Sequence, residues 1–452
     1  MKKLMLIGMA AAVLLTFAGQ AKATALETSG ELRARGWWVD NYVVNGKSTE
    51  WFDQRLRLNM VWPVAEGVKV NVRADILEGF WGDNNQAFQT TFNTTTNTVT
   101  SSTAGFGTRP PINFDHVNMQ FKWPGTPLTF TVGRQDVSYA TGMYAKADNR
   151  DRFKVVANFS PEMNFLFAYD KTKEFFNAEG INNLDDARAW SVAGFGTVQG
   201  WFWGVLALYA LDDSAGGKGA GNVTRIGVDA TTSGKAGPVD LKVDVAFITG
   251  DNEITGKAKV DASGLMAYVS AAMPAGPVTV TLEGAYAAGD DPKTTDKNEG
   301  AARFDYQSSF WSIILYTNLD VPGYVGSSSG NQMTSDVAND YSVTNAIAGK
   351  ATVAWSPMKG FTLMGSAVYS QALQDVAVVT PAKAATATTP AVPAKTTIIA
   401  SNPLGTEFDV VAVYNITDNV YFLGGFGYLV AGDFFGEVDN PMGVMGSLNV
   451  KF

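Results

Sequence analysis

Polarity alternates residue by residue along much of the chain. In the stretch 52–62, Leu56, Leu58, Met60 and Trp62 share one parity while Asp53, Arg55, Arg57 and Asn59 share the other. Successive side chains of an extended strand point to opposite faces, so one face here is apolar and the other charged. The split recurs in Val68, Val70, Val72 and Ala74 against Lys69, Asn71, Arg73 and Asp75, and in Val239, Leu241, Val243 and Val245 against Asp240, Lys242 and Asp244. It also runs to the last residue, with Met442, Val444, Gly446, Leu448, Val450 and Phe452 on one parity. A soluble sandwich would alternate too. Against it stand Trp62, Trp123, Trp201, Trp355, Tyr414 and Phe452, which fall near strand ends where rings would sit at the level of lipid headgroups.

The connections between these segments alternate in length. Tight turns are readable at 63–67, 124–127, 160–163, 198–200, 233–237, 273–277, 356–360 and 417–419, each marked by Pro, Gly, Ser or Asn. Longer polar stretches fall near 40–50, 78–112, 138–150, 172–186, 212–222, 250–257, 290–341, 372–405 and 431–441. Eight turns and nine loops join eighteen strands, an even number that leaves both termini on the short-turn side. The pattern predicts an all-β fold, a transmembrane antiparallel β-barrel of about 18 strands with short periplasmic turns and long extracellular loops. The Thr/Asn/Ser-rich stretch 90–103 and the Ala/Thr/Pro-rich stretch 377–400 are too biased to pack. The apolar run Phe310 to Leu319 would make the strand count odd, and is read as folded into the lumen or against the rim.

The two ends fix the compartment. Lys2 and Lys3, an apolar run from Leu4 to Phe17 and Ala21-Lys22-Ala23 read as a signal peptide over 1–23, leaving 24–452 as one barrel domain. The run is too short for a spanning helix. With no Cys in 452 residues, neither lipid acylation nor a disulfide framework is available, and a Cys-x-x-Cys-His haem site is absent. The hydrophobic share of 46% and mean hydropathy of −0.01 suit strands with one lipid face and one wet face. Removing 1–23 takes away Lys2, Lys3 and Lys22, so the formal charge of −9 becomes −12. Nucleic acid is not an expected partner.

The charged parity supplies the candidate chemistry. Arg33, Arg35, Asp53, Arg55, Arg57, Arg73, Asp75, His116, Arg134, Arg152, Lys154 and Arg188 are expected to line the pore. Ten of the twelve arginines lie at or before residue 188. Guanidinium forks at a narrow point favour anions, whereas a ladder of Arg paired with Glu31, Asp53, Asp75, Asp136 and Asp151 would mainly stiffen the wall; both readings stay open. His116, the one histidine, shares a predicted face with Phe114, Asn118, Gln120 and Lys122 and is expected to line water. A barrel hydrolase would need a His as general base, and the one His in the chain is read as a lumen residue, so the chain is not expected to be an enzyme. Acidic pairs at 212–213 and 290–291 lack the spacing of a dedicated calcium loop, so no metal or cofactor is expected.

Three segments carry a family resemblance: Gln54-Arg55-Leu56-Arg57-Leu58, Thr131-Val132-Gly133-Arg134-Gln135 with Tyr139 and Gly142, and Ala431-Gly432-Asp433-Phe434-Phe435-Gly436. They resemble the alginate-export type of Gram-negative outer-membrane barrel, an eighteen-stranded family, and general porins of the same plan. The resemblance implies a channel in the cell outer membrane, seated among lipid and lipopolysaccharide and passing small hydrophilic solutes. It also implies a C-terminal strand ending in Phe452 that the barrel-assembly machinery reads. Either a homotrimer or a monomer is compatible with it. The alternatives are a sheath around a partner, such as an electron-transfer cytochrome conduit, and a polysaccharide export channel.

Overall fold

The computed structural model describes residues 25–41, 48–81, 90–93, 98–101, 112–139, 148–173, 186–213, 221–300, 304–305, 310–316, 342–343, 345–380, 395–400, 403–435 and 438–452. The expected signal peptide 1–23 lies outside them. Eighteen strands carry the fold: β1 Glu27–Asp40, β2 Thr49–Ala65, β3 Val68–Phe80, β4 Ile112–Lys122, β5 Leu128–Val137 and β6 Asp148–Ser160. They continue as β7 Met163–Lys173, β8 Ala187–Val198, β9 Trp201–Asp212, β10 Gly221–Ala236, β11 Val239–Ile254 and β12 Val260–Ala275. The last six are β13 Val278–Ala287, β14 Ala346–Met358, β15 Phe361–Ala372, β16 Pro403–Asn415, β17 Val420–Ala431 and β18 Met442–Lys451. Each pairs antiparallel with its neighbours in sequence, and β1 pairs with β18, so the sheet closes on itself. Closure satisfies the backbone of every strand without leaving an edge, which a lipid environment demands. At the seam Gly30 N donates to Phe452 O (2.8 Å) and Phe452 N to Gly30 O (3.1 Å).

Turn chemistry sets the register. Gln199 and Gly200 both have positive φ (51° and 82°), the backbone of a two-residue hairpin turn whose twist matches the strands. Gly67, Gly125, Gly237, Gly276 and Gly360 serve five of the other tight turns with φ of 61° to 81°. All eight short connections and all nine long ones fall where the sequence pattern puts them.

The outer face is apolar and ringed by aromatics. At the short-turn rim Trp62, Trp123, Trp355, Tyr414 and Phe452 are exposed, and at the opposite rim Phe52 stacks on Trp81 at 5.3 Å. Bulges interrupt the pairing at several points. In β15–β16 the register slips between Ser370 and Gln371, and Leu404 becomes buried in the interior. The bulge needs Gly405: its φ is +124°, and a Cβ there would lie 2.1 Å from the Val430 carbonyl oxygen. Gly405→Ala is therefore expected to cost about 1–3 kcal/mol, read as a lowered urea midpoint of the detergent-folded protein.

The biased stretches adopt more order than composition suggests. Thr90–Asn93 pairs with Thr98–Ser101, and Val376–Thr380 with Lys395–Ile399, as separate two-stranded ladders. β-branched Thr and Val favour extended backbone. The run beginning at Phe310 is not a strand: over 310–316 it packs inside the barrel, with Phe310, Ile313 and Ile314 fully buried. Residues 317–319 of that run lie outside the described residues.

Candidate functional site: the lumen

The inward parity of β1 to β7 builds a wall of arginines and carboxylates. Arg35 meets Asp53 at 2.9 Å with Arg33 at 3.8 Å from the same carboxylate, and Arg55 meets Glu31 at 3.1 Å. Arg57 holds Asp75 through two bonds of 2.6 and 2.7 Å and reaches Asp115 at 3.0 Å; Arg73 binds Asp115 at 3.1 Å. Further along, Asp170 receives Arg152 in a bidentate contact and Arg150 at 3.2 Å, while Arg152 also donates to the Tyr139 hydroxyl at 2.8 Å. Tyr139 in turn donates to Ser191 on β8. Strand pairing puts these residues side by side: Arg57 stands opposite Asp75, and Arg152 opposite Asp170.

Asp115, absent from the residues picked out of the sequence, ties the wall together. Arg73 pairs with His116, but Ala74 pairs with Phe114, so β4 carries one extra residue at this point. The bulge turns Asp115 and His116 inward together and moves Phe114 to the outer face, where it is 50% exposed. Phe114 therefore does not share the face of His116, Asn118 and Gln120 as strict alternation requires. The only sequence signal was an acid one step out of phase beside a run of inward arginines.

Two expected pore residues stand apart from this row. Arg134 pairs in register with Val117 and Asp151, and Arg188 with Leu211 and Lys171, all on the parity opposite to Arg152 and Asp170. Arg134 contacts Asp151 at 3.6 Å, and Arg188 bonds Asp213 at 2.9 Å while lying over Trp190. Both line a cleft of about 400 Å³ near the long-loop ends of β5 to β10, with Arg150, Lys171 and Arg225. Lys154 takes the inward parity of β6, between Thr131 and Ala168.

The facing side of the lumen is acidic. Asp229, Asp244, Glu407 and Asp409 are buried on the inward parity of β10, β11 and β16, and Glu283 on β13 accepts from Tyr268 at 2.7 Å. Between the walls lies the segment 310–316. Ile314 N and Leu315 N donate to Glu407 at 2.6 and 2.7 Å, Ser312 Oγ donates to it at 2.8 Å, and Lys350 Nζ on β14 donates to the Trp311 carbonyl at 2.7 Å. Trp311 is the one side chain of 310–316 that is only partly buried.

The loop after β13 carries a titratable pair. Burial pushes the Asp290 carboxyl up to about 6; the Glu299 N–H, bonded to it at 3.0 Å, opposes the rise, and the Glu299 and Asp291 carboxylates add to it. A carboxyl raised above its ordinary value near ~3.9 favours the folded loop below that pH and loses this contribution as pH climbs through about 6. Amide protection over 291–299 is thus expected to be higher at pH 5 than at pH 7.5 by hydrogen exchange, and Asp290→Asn to flatten the difference. Among the described residues no three His, Asp or Glu side chains converge as a metal site would require.

No family model matches the sequence, and no curated protein matches it. Solved structures do match the fold. Acinetobacter baumannii OccAB1 superposes with a TM-score of 0.53 at 12% identity, covering 96% of this chain and 99% of its own. Pseudomonas aeruginosa OccK8 (OprE) gives 0.50 at 10% identity, covering 94% and 98%. Pseudomonas aeruginosa OccK2 (OpdF), solved in complex with glucuronate, gives 0.51 at 11% identity, covering 96% and 99%. The likeness is one of fold, that of eighteen-stranded outer-membrane porin barrels, and none of these matches bears on the alginate-export resemblance of the strand motifs.

Proposed function

From a closed eighteen-stranded barrel of porin architecture, lipid-facing outside and charged inside, we propose that this chain is a passive channel of the Gram-negative outer membrane for small hydrophilic solutes. The observation that carries the reading is the lumen itself: a strand-borne row of arginines faces buried carboxylates across a passage narrowed by 310–316. Short turns then face the periplasm and long loops the exterior. Phe452, held at the seam by its own backbone, is the handle for barrel assembly.

Within that reading the channel favours small anions. Arg33, Arg35, Arg55, Arg57, Arg73, Arg150, Arg152 and Lys154 outnumber the Glu31, Asp53, Asp75, Asp115 and Asp170 carboxylates among them, so the wall keeps a net positive charge even though most guanidiniums are paired. The glucuronate in the OccK2 complex is a carboxylate of the kind such a wall would accept. The test is a planar-bilayer recording of the mature chain across a salt gradient. Discrete conductance steps with a reversal potential on the anion side are expected. Cation selectivity would remove the anion preference, and the absence of steps from folded protein would turn the search toward a partner that fills the barrel.

A further inference from the structure

An apolar segment that leaves the strand ladder and enters a wet lumen must find partners for its backbone groups. Residues 310–316 form neither strand nor helix, yet Phe310, Ile313, Ile314, Leu315 and Tyr316 are buried. Their polar groups converge on two neighbouring acids of β16, with Ile313 N bonded to Asp409 and the rest gathered on Glu407. Glu407 Oε1 accepts from Ile314 N (2.6 Å), and Oε2 accepts from Leu315 N (2.7 Å) and Ser312 Oγ (2.8 Å). Ser312 Oγ also accepts from Tyr316 N (3.0 Å), which closes the turn around the carboxylate. Two successive N–H groups and a hydroxyl aimed at one anion form a backbone nest, here with the anion supplied by the barrel wall.

The wall is shaped for this contact. Glu407 and Lys350 both stand opposite Val368 of β15, so the carboxylate and the ammonium that grips the Trp311 carbonyl lie at one level. Ser370, two residues along β15, bonds the Tyr316 hydroxyl. On β17 the inward positions next to the segment are glycines: a Cβ on Gly427 would lie 2.7 Å from Ile313 Cβ, and one on Gly425 3.0 Å from Ile313 Cδ1. Ile313 occupies the space those side chains would fill.

We infer that Glu407 is the positioning residue that fixes the width of the pore, the main carboxylate latch, with Asp409 beside it, holding the segment 310–316 inside the lumen. This rests on the channel reading above. A carboxylamide cannot replace the latch, because one of its two ends is a donor and would face an N–H. Wall and segment can be altered independently: Glu407→Gln changes the wall, and Ile314→Pro deletes a latched N–H without touching a barrel strand.

The experiment pairs single-channel conductance with hydrogen exchange at the Ile314 and Leu315 amides, on the full chain in detergent or bilayer, after heat-modifiable gel mobility has shown a folded barrel. Both amides should be protected in the wild type. The Leu315 amide in each variant, and the Ile314 amide in Glu407→Gln, should lose at least tenfold in protection. Conductance should rise at least twofold in each variant, with larger neutral sugars admitted in liposome swelling. Unchanged protection and unchanged conductance would overturn the latch, as would exposed amides with unchanged conductance and sugar cutoff. If Glu407→Gln does not fold, Ile314→Pro decides alone. No conductance from wild type and variants alike would sink the channel reading, and with it the pore-width role, while the amides still report whether Glu407 holds the segment.

Discussion

Asp170→Asn should lower the unfolding free energy of the barrel by about 3–5 kcal/mol, the cost of stranding buried charge when one partner of an ion pair is removed. Asp170 is wholly buried and Arg152 nearly so, and Asp170 answers Arg150 as well. With the carboxylate replaced by an amide, Arg152 keeps one carbonyl oxygen and the Tyr139 hydroxyl as acceptors, but the other oxygen becomes a donor facing the guanidinium and the counter-charge is gone. Its guanidinium cannot discharge itself, since arginine stays protonated in proteins. The measurement is a urea titration of the detergent-folded protein followed by tryptophan fluorescence. Lys235→Ala is the matched control: the Lys235–Asp240 pair at 3.3 Å is largely exposed, and such pairs contribute about 0–1 kcal/mol. Equal effects of the two substitutions would mean that the Arg152 cluster is wetter than its burial indicates.

Asp115→Asn should shift the reversal potential further toward the anion side. Asp115 is the shared partner of Arg57 and Arg73, and neutralising it leaves Asp75 as the carboxylate between them. A unit charge about 4 Å away in a water-like medium changes an ion's energy by roughly 1 kcal/mol, with opposite sign for anion and cation, which corresponds to up to about a thirtyfold change in the anion-to-cation permeability ratio. Dilute salt should enlarge the effect and molar salt suppress it, because screening shortens from about 30 Å at 0.01 M to about 3 Å at 1 M. A ratio that does not move would mean that permeating ions do not pass the Arg57–Arg73 wall.

Strand number, turn positions and the outward aromatics were legible because each has a local cause. Period-two polarity identifies a strand with two different environments, and Gln199-Gly200 or Lys359-Gly360 identifies a hairpin. What escaped depends on departures from that period. The bulge at Asp115 shifts parity by one within β4, so counting through it carries Phe114 to the wrong face and leaves Asp115 unnoticed. Arg134 and Arg188 escaped for a related reason: charge alone suggested the inside, but the pairing that decides their parity is a property of neighbouring strands. Glu407 was harder still. Its importance comes from residues 92 to 95 positions earlier in the chain, and no periodicity states where a segment outside the sheet will settle. The trace it leaves is an inward acid, with Asp409 two residues on, among Leu404, Gly405 and Val411.

The bond between Gly30 and Phe452 joins the first strand to the eighteenth. A ribosome delivers the second only after the sixteen strands between them, so the cylinder cannot close before β18 has been made. Until then β1 offers an open hydrogen-bonding edge to any other extended chain. Among the described residues this very long-range pairing is the one that ends the exposure, which makes its formation entropically costly and slow. Such a chain must be kept unpaired throughout its transit and closed only at its destination. Removing β18 would therefore turn a closed barrel into a sheet with two adhesive borders.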